Sequence, residues 1–182
     1  SVICKQLDGD KNDLPKFTSY MCGANRPGHF SGVFRIVKLL FEIIEPNYAY
    51  FGKKDFQQLL LVKYIASTYF PKLKIIDVDT VRDSNNIALS SRLSKVSCES
   101  IHQVKLIFQT LMTMKKKLLS GLEYNAVKES SLLDLEDNNI SVEYLDLRRL
   151  DTLKEQVNIN HPCGIFIACY IDNIRLIDNI EI

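Results

Sequence analysis

Residues 48–78 follow the order strand, polar loop, helix, strand, and this order constrains the fold more than any other part of the sequence. Tyr48–Phe51 is a short apolar run without polar alternation, which is typical of a central strand covered on both faces. A helix is predicted from about Asp55, placed to cap it, to Phe70, and residues 73–78 form a second strand. Such a βαβ unit predicts a parallel sheet whose ligands bind beyond the carboxyl ends of the strands.

The flanking segments predict an α/β piece followed by a small α+β piece. Residues 1–22 indicate a strand end at Val2–Cys4 and a surface loop, and a largely buried helix over 31–44 is stopped by Pro46. After a Ser-rich stretch the pattern predicts two helices and three strands: helices at about 99–120 and 123–135, and strands at 140–144, 165–171 and 174–177, the last two joined by Asp172-Asn173. We therefore predict one domain over 1–93 and a second over 94–182.

Charge and cysteine content exclude several classes of function. With 23 Lys+Arg against 22 Asp+Glu, the net charge of +1 offers no long-range field for nucleic acid, and Lys115–Lys117 and Arg148-Arg149 are interpreted as solvated faces. The five cysteines are odd in number and lack a C-x-x-C pair, so neither a zinc site nor a disulfide framework is indicated. No apolar run approaches the roughly 20 residues that span a bilayer. We expect a cytoplasmic protein without nucleic-acid or membrane partners.

Three clusters in the first ninety residues could carry chemistry. Arg26–Phe30 combines a cation, an imidazole and a glycine, Gly52–Asp55 with Gln57-Gln58 places two lysines where a helix begins, and Leu89–Arg92 adds two hydroxyls and a cation. A helix N-terminus and ammonium groups can converge on a phosphate. Each cluster alone is more often a set of surface residues without a ligand. Neither of the usual phosphate-binding motifs, G-x-x-x-x-G-K-[ST] and G-x-G-x-x-G, occurs. On the residues alone, the prediction stops at an anion site.

The residues of these clusters and their order along the chain closely resemble those of one family. The sequence carries four matching segments in order: Arg26-Pro27-Gly28-His29-Phe30, Phe51-Gly52-Lys53-Lys54-Asp55 with Gln57-Gln58, Val81-Arg82 leading to Ala88-Leu89-Ser90-Ser91-Arg92, and Arg175-Leu176-Ile177-Asp178-Asn179. They look like the successive signatures of pantothenate synthetases, the pantoate:β-alanine ligases. The resemblance implies a Rossmann-like nucleotidyltransferase domain of the class I aminoacyl-tRNA synthetase type, followed by a lid-like α+β domain.

The resemblance also implies an activity and its reactants. This family condenses (R)-pantoate with β-alanine in vitamin B5 and coenzyme A biosynthesis. Pantoate attacks the α-phosphate of ATP to give pantoyl adenylate and pyrophosphate, and β-alanine then displaces AMP. Mg²⁺ assists the first step, and family members are usually cytoplasmic homodimers. Fixed cations in a water-poor site would stabilise the charge that develops on the phosphoryl oxygens.

Residue roles follow from the resemblance, motif by motif. Gly52, Lys53, Lys54 and Asp55 would contact ATP, with Lys54 near the phosphates, and Gln58 would bind pantoate. Val81 would contact adenine through its backbone. Leu89, Ser90, Ser91 and Arg92 look like the counterpart of the synthetase KMSKS loop, so Ser90, Ser91 and Arg92 would bind the triphosphate and assist pyrophosphate departure. Arg26 and His29 would line the pocket. Lys54, Ser90, Ser91 and Arg92 are thus the predicted catalytic residues, and the resemblance assigns no metal ligand.

Three departures from the family pattern qualify this interpretation. Asn85-Asn86 stands where the family usually has Asp-Gly, and Asn86 is tolerable there because Asn enters the left-handed region readily. Leu93 replaces a polar residue beside the loop. The family's His-x-Gly-His segment occurs nowhere in the chain. We therefore expect the C-terminal two-thirds of a ligase, inactive by itself, with a catalytically incomplete fragment that binds nucleotide or self-associates as the alternative.

Overall fold

The computed structural model describes residues 14–182, which fall into two compact units. The units are Ser1–Val78, described from residue 14, and Asp79–Ile182. The predicted strand end at Val2–Cys4 lies outside the described residues. Residues 79–93, which the sequence analysis placed in the first domain, pack with the second unit, where Ile87 joins the hydrophobic core. The predicted functional division at residue 93 stays a prediction.

The first unit has the predicted strand–helix–strand order. Short helical turns at Lys16–Ser19 and Cys22–Asn25 precede helix α1 (His29–Ile44). Strand β1 (Tyr48–Gly52), helix α2 (Phe56–Tyr69) and strand β2 (Lys74–Val78) follow. Helix α1 ends where Glu45 takes a left-handed φ of 47° immediately before Pro46, whose ring cannot continue a helix.

Strands β1 and β2 pair in parallel, as the βαβ pattern predicts. The register runs from Tyr48 opposite Lys74 to Gly52 opposite Val78. Both helices lie on one face of this sheet, because Phe41 of α1 packs edge-on against Phe51 and Lys63 of α2 forms an ion pair with Asp77 at 2.6 Å. The carboxyl ends of the two strands therefore meet at Gly52 and Val78.

The opposite face of this sheet is exposed, and the prediction that β1 is covered on both faces is wrong for the described chain. Tyr48 and Tyr50 are 55% and 69% exposed, and they share their face with Ile76 and Val78, which are also exposed. Helix α1 is likewise less buried than predicted: Phe30, Phe34 and Phe41 are buried, but Ile36, Leu40, Ile43 and Ile44 are exposed. Apolar residues in a sequence indicate surface that could be buried. In residues 14–182, other elements cover only one face of this sheet and one side of α1.

The second unit is a three-stranded antiparallel sheet with two helices. Helices α3 (Ile101–Leu119) and α4 (Tyr124–Asp137) precede strands β3 (Ser141–Arg149), β4 (Cys163–Ile171) and β5 (Ile174–Glu181), paired in the order β3-β4-β5. Asp172 and Asn173 have φ values of 50° and 61°, which is the left-handed pair that a two-residue hairpin turn requires. The predicted antiparallel α+β unit is confirmed.

Strand β3 extends beyond its predicted end at residue 144. Asp146 is almost buried in the sheet, where Arg148 donates two hydrogen bonds to its carboxylate and Lys128 forms an ion pair with it at 3.1 Å. These partners neutralise a charge that would otherwise be costly to bury, so the Leu-Asp-Leu-Arg-Arg segment continues the strand. Arg148 is only 13% exposed in this pair, so the interpretation of Arg148 as part of a solvated face is wrong.

One hydrophobic core fills the second unit between its helices and the sheet. Its fully buried members come from all layers: Leu111 and Met114 of α3, Leu135 of α4, Leu145 and Leu147 of β3, Ile165 and Ile167 of β4. Helix α4 begins where the Glu123 carboxylate accepts the backbone N–H of Ala126 at 2.8 Å. Hydrogen bonds from the backbone N–H groups of Asn125 and Ala126 hold the pKa of Glu123 below its usual value.

Candidate functional site

The segment Gly52–Asp55 leaves the carboxyl end of β1 and leads into α2. Lys53, Lys54 and Asp55 form one turn of 3-10 helix, and α2 begins at Phe56. Two lysines therefore lie in the turn that precedes the positive end of the α2 dipole, a placement that favours an anionic ligand. Asp55 occupies the predicted cap position, but its side chain makes no capping hydrogen bond because its backbone (φ −97°, ψ 56°) is outside the extended conformation of a usual N-cap.

The adjacent glutamines Gln57 and Gln58 have different surroundings. Gln57 is buried, and its amide nitrogen donates to the carbonyls of Phe17 and Tyr20, both at 2.8 Å. Its amide oxygen accepts the N–H of Cys22 at 3.2 Å. The half-buried Gln58 makes no side-chain hydrogen bond within the described part of the chain, so its amide is available to a ligand. The sequence analysis assigned a role to Gln58 and missed the structural role of Gln57.

The Gln57 contacts fix the segment that leads to Arg26–Phe30. This segment is tight: a Cβ added at Gly23 would lie 1.7 Å from the carbonyl oxygen of Thr18. Gly28 has φ 80°, which only glycine adopts easily, and His29 starts α1 directly afterwards. The Arg26 Nη1 and His29 Nε2 atoms are 3.3 Å apart, so the predicted pocket-lining pair is in contact. The predicted loop ends earlier than expected, since His29 and Phe30 belong to the helix.

Residues 79–92, which follow the carboxyl end of β2, fold into a compact turn. Arg82 and Ala88 form an isolated antiparallel bridge, and the Leu89 N–H donates to the Val81 carbonyl at 2.9 Å. The Asp83 carboxylate accepts two backbone N–H groups, those of Asn85 (2.8 Å) and Ile87 (2.9 Å). Asn86 has φ 62°, the left-handed conformation that Asn tolerates in place of glycine. Buried Ile87 and Ala88 anchor this turn to the second unit.

The segment Ser90–Arg92 emerges from this turn towards solvent. Ser91 and Arg92 are exposed, and the Ser90 hydroxyl accepts the Arg92 N–H at 3.2 Å. The Arg92 guanidinium donates to the carbonyl of Arg175 at 3.1 Å and forms no ion pair in residues 14–182. A 3-10 turn starts at Leu93, whose N–H donates to the Ser90 carbonyl. Among residues 14–182, two hydroxyls and a guanidinium without an ion-pair partner thus lie together on a segment whose Ser91 and Arg92 are exposed.

The β4–β5 hairpin holds this region at three places. Arg82 donates to both carboxylate oxygens of Asp178, at 2.7 and 2.8 Å, and Arg92 reaches the Arg175 carbonyl. At the hairpin turn, the Asp172 carboxylate accepts the Ser97 N–H and the Ser100 hydroxyl, each at 2.9 Å. The hydrogen bond from the Ser97 N–H is the largest of the effects that lower the pKa of Asp172. Arg82 and Asp178 belong to two separate family-like segments, and their separation of 96 positions conceals their pairing in the sequence.

A second charged pair on the hairpin is already satisfied internally. Arg175 binds the Glu143 carboxylate through Nε and Nη2, and the Tyr170 hydroxyl donates to the same carboxylate at 3.1 Å. The Arg175 and Glu143 side chains are mostly buried. Arg175 thus offers a ligand less charge than Arg92 does, although both belong to family-like segments.

The described residues contain no group of three or more His, Cys, Asp and Glu side chains that could hold a metal ion. Two of the described cysteines, Cys163 and Cys169, are buried in the core, and burial raises the pKa of the Cys169 thiol to about 12. None of the helices between residues 14 and 182 is both long enough and apolar enough to cross a bilayer. Lys54 and Gln58 belong to the first unit, whereas Val81 and Ser90–Arg92 belong to the second.

Sequence comparisons match this chain to one family of known proteins. The family model described as pantoate-beta-alanine ligase matches residues 10–181. A pantothenate synthetase from Shewanella woodyi is 34% identical over 168 residues, which are 92% of this chain and 60% of that protein. A pantothenate synthetase from Leptospira interrogans is 33% identical over 171 residues, with 93% of this chain and 60% of that protein covered.

Solved structures give the same result. The crystal structure of pantothenate synthetase from Thermus thermophilus matches with a TM-score of 0.85 at 31% identity, covering 91% of this chain and 60% of that one. A pantoate-beta-alanine ligase from Francisella tularensis, complexed with beta-gamma ATP and beta-alanine, matches with a TM-score of 0.72 at 29% identity, covering 92% and 56%. The predicted Rossmann-like α/β class with an α+β unit is confirmed, and the chain spans about 60% of the length of these relatives.

Proposed function

Because this chain belongs to the pantoate-beta-alanine ligase family, we propose that it carries the phosphate-contacting loops of an ATP-dependent ligase. The ligase condenses (R)-pantoate with β-alanine to form pantothenate. The pantoate carboxylate attacks the α-phosphate of ATP, which forms pantoyl adenylate and releases pyrophosphate. The β-alanine amine then attacks the acyl carbon, an amide bond forms, and AMP leaves with the electron pair of the broken acyl–oxygen bond.

The exposed Ser90–Arg92 segment is the observation that carries this proposal. Negative charge increases on the leaving pyrophosphate in the first step, and preorganised cations and hydroxyls stabilise it. Arg92 is exposed and forms no ion pair within the described chain, and the turn before it is anchored to the second unit. We assign Ser90, Ser91 and Arg92 to the triphosphate, and Leu89 and the Val81 backbone to the nucleotide.

The first unit supports the proposal through the start of α2. Gly52, Lys53, Lys54 and Asp55 are assigned to ATP, with Lys54 as the cation for the phosphates, because they begin a helix at the carboxyl end of a parallel strand. Gln58 is assigned to pantoate, since its amide makes no hydrogen bond within residues 14–182 and the side chain is partly accessible. Arg26 and His29 are assigned to the wall of the pocket.

Mg²⁺ is part of the proposal as a partner of ATP. Mg²⁺ usually keeps several waters and is held by substrate phosphates together with one or two carboxylates. The described residues contain no larger ligand group of their own. We assign Mg²⁺ to the triphosphate and name no protein ligand for it.

Two further features of the proposal concern the whole protein. Its setting is the cytoplasm, and its assembly is a homodimer. The alternative is a catalytically incomplete polypeptide that binds nucleotide or only associates with itself. The chain's 60% span of its relatives keeps this alternative open, and the two differ in whether pyrophosphate exchange occurs.

A chimeric enzyme tests the ligase against that alternative. The matching 60% of the Shewanella woodyi pantothenate synthetase is replaced by this chain, and pantoate-dependent exchange of labelled pyrophosphate into ATP is measured. We expect exchange by the chimera and none by the chain alone. A folded chimera without exchange would contradict the ligase proposal, while ATP binding by the chain alone would then support the alternative.

Variants of the chimera test the assigned residues. Lys54→Ala and Arg92→Ala should each reduce exchange by roughly 10²- to 10³-fold, the usual cost of removing one preorganised stabiliser of developing charge. Lys116→Ala removes an equally charged side chain from the exposed surface of α3 and should leave exchange unchanged. Equal effects of all three variants would show that general charge, rather than these sites, controls the reaction.

A further inference from the structure

Arg82 joins three separate parts of the second unit. Its guanidinium donates to both Asp178 carboxylate oxygens and to the Asn179 carbonyl (3.3 Å) on β5, and to the Asn86 carbonyl (3.1 Å) in the turn that it begins. It also stacks over the Phe108 ring of α3 with 4.2 Å between the guanidinium carbon and the ring centroid. One side chain therefore connects the turn, strand β5 and helix α3.

The Arg82–Asp178 pair is shielded from water, unlike the surface pairs of this chain. The exposed fractions of the two side chains are 17% and 5%. Shielding strengthens the attraction between the charges, and removal of one partner would leave the other charge buried without compensation. The planar fork of arginine matches a carboxylate at two points, so the pair fixes orientation as well as distance.

The orientation of Arg82 is transmitted to Ser90–Arg92 by a short and internally bonded stretch of backbone. Arg82 is bridged to Ala88, and Val81 is bonded to Leu89, the residue before Ser90. The Asp83 carboxylate closes the turn from inside through the N–H groups of Asn85 and Ile87. The turn is therefore cross-linked internally, and the Arg82–Asp178 contact attaches it to β5 while buried Ile87 attaches it to the core.

We propose that Arg82, through its ion pair with Asp178, is the positioning residue of the Ser90–Ser91–Arg92 segment. It does not touch the ligand; it holds the base of the segment on strand β5, so that two hydroxyls and one guanidinium reach the phosphate chain of ATP together. This inference rests on the proposed function for the identity of the ligand, and it adds which residues preorganise the segment.

A purely structural role for the pair makes a different prediction. If Arg82 and Asp178 only stabilise the second unit, their loss would lower the melting temperature and weaken the binding of every nucleotide equally. A positioning role affects the ligand groups that the segment reaches. Binding of ATP, which has the full phosphate chain, should weaken more than binding of AMP.

Arg82→Lys and Asp178→Asn are the test variants in the full chain. Lysine keeps the charge but loses the fork and the stacking, and asparagine keeps the shape but loses the charge. The matched controls are Arg149→Lys and Asp151→Asn, because Arg149 also binds a carboxylate at two points, at 2.9 and 2.6 Å, in the same unit. That pair is exposed, 32% and 57%, and it touches no part of the 79–93 region in the hydrogen bonds of the described chain.

Two measurements decide between the roles. Hydrogen exchange of the amides in residues 83–93 requires no ligand, and we expect it to accelerate on the order of tenfold or more in both test variants, as loss of charge-assisted hydrogen bonds predicts. The controls should leave it unchanged. Titration with ATP and with AMP should show an ATP affinity reduced by a similar factor and an AMP affinity nearly unchanged.

Three results would overturn the inference or its premise. Unchanged exchange of residues 83–93 in a folded Arg82→Lys or Asp178→Asn protein would refute positioning. Equal losses of ATP and AMP affinity would reduce the pair to a structural role. Failure of the wild-type chain to bind ATP would contradict the assigned ligand, and the exchange measurement would still decide whether the pair holds the segment. If Asp178→Asn does not fold, Arg82→Lys carries the test.

Discussion

The sheets of the two units are buried to different extents. In the second unit, α3 and α4 close over a three-stranded sheet, and side chains from every layer are fully buried. In the first unit, both helices lie on one face of a two-stranded sheet, and the other face exposes Tyr48, Tyr50, Ile76 and Val78. Two paired strands are marginal by themselves, and parallel sheets are normally covered on both faces.

The two units therefore differ in the size of the core that supports their candidate ligand-binding residues. The second unit has the larger apolar core and anchors its Ser90–Arg92 segment with a buried ion pair. The first unit positions Lys54 and Gln58 on a smaller core. We infer that the second unit opens less readily than the first in this chain, because local stability follows buried apolar contact. The following predictions test that order.

The largest effect is expected from a core truncation in the second unit. Ile167 is 0% exposed in the middle of β4, and Ile167→Ala should lower the free energy of unfolding by about 3 kcal/mol through lost burial and a cavity. Ile43→Ala, at a position 66% exposed on α1, should change it by less than about 0.5 kcal/mol. Urea titrations monitored by hydrogen exchange measure the two effects, in residues 141–181 for Ile167→Ala and in residues 29–78 for Ile43→Ala. Similar effects of the two variants would break the comparison.

Cysteine labelling should reveal the order in which the units open. Cys98 is exposed and should react with iodoacetamide in the native protein. Buried Cys22 reports the first unit, and buried Cys163 and Cys169 report the second. As urea is raised, Cys22 should react at a lower concentration than Cys163 and Cys169, because opening of the first unit costs less free energy. Simultaneous labelling of all three would show a single cooperative unit instead.

A moderate, pH-dependent effect is expected at the β4–β5 turn. Hydrogen bonds from Ser97 and Ser100 hold the pKa of Asp172 below its usual value, so the folded state favours the carboxylate. Its contribution to stability is complete above the ordinary Asp pKa of about 3.9 and is lost as pH falls through the lowered pKa. Asp172→Asn should therefore lower the melting temperature at pH 6, and this difference should be smaller at pH 2, where a larger fraction of the carboxylate is protonated. Equal effects at the two pH values would contradict this.

The fold was predictable wherever one residue's neighbours in sequence were also its neighbours in space. The order of helices and strands and the Asp172-Asn173 turn follow from local apolar patterns and turn residues, and the parallel pairing follows from the general rule for βαβ units. The continuation of β3 through Asp146 was not predictable, because the charges that neutralise Asp146 include Lys128 on another element. Exposure of the β1 face was missed for a related reason. The sequence of a strand shows which of its residues are apolar, but it does not show whether another element packs against them.

The candidate site was predictable only in part. The family-like segments identified Lys54, Gln58 and Ser90–Arg92, whose assigned roles stay predictions. The groups that hold them were not visible in one sequence: Gln57 binds carbonyls 37 and 40 residues away, and Arg82 meets Asp178 across 96 residues. Long-range hydrogen bonds have no periodic signature, so resemblance can identify these residues but cannot pair them.

The smallest effect on stability is expected on the exposed face of the first unit, where association should change instead. Tyr50 is 69% exposed, and Tyr50→Thr keeps a residue that favours strands while it removes most of the apolar surface. Its free energy of unfolding should stay within about 0.5 kcal/mol of the wild type. Exposed apolar patches promote association, so sedimentation velocity should show less self-association for Tyr50→Thr than for the wild type. Val157→Thr, a similarly exposed apolar position in the second unit, is the control and should leave association unchanged. If both variants reduce association equally, the exposed sheet face has no special role, and the contrast between the units would not extend to their surfaces.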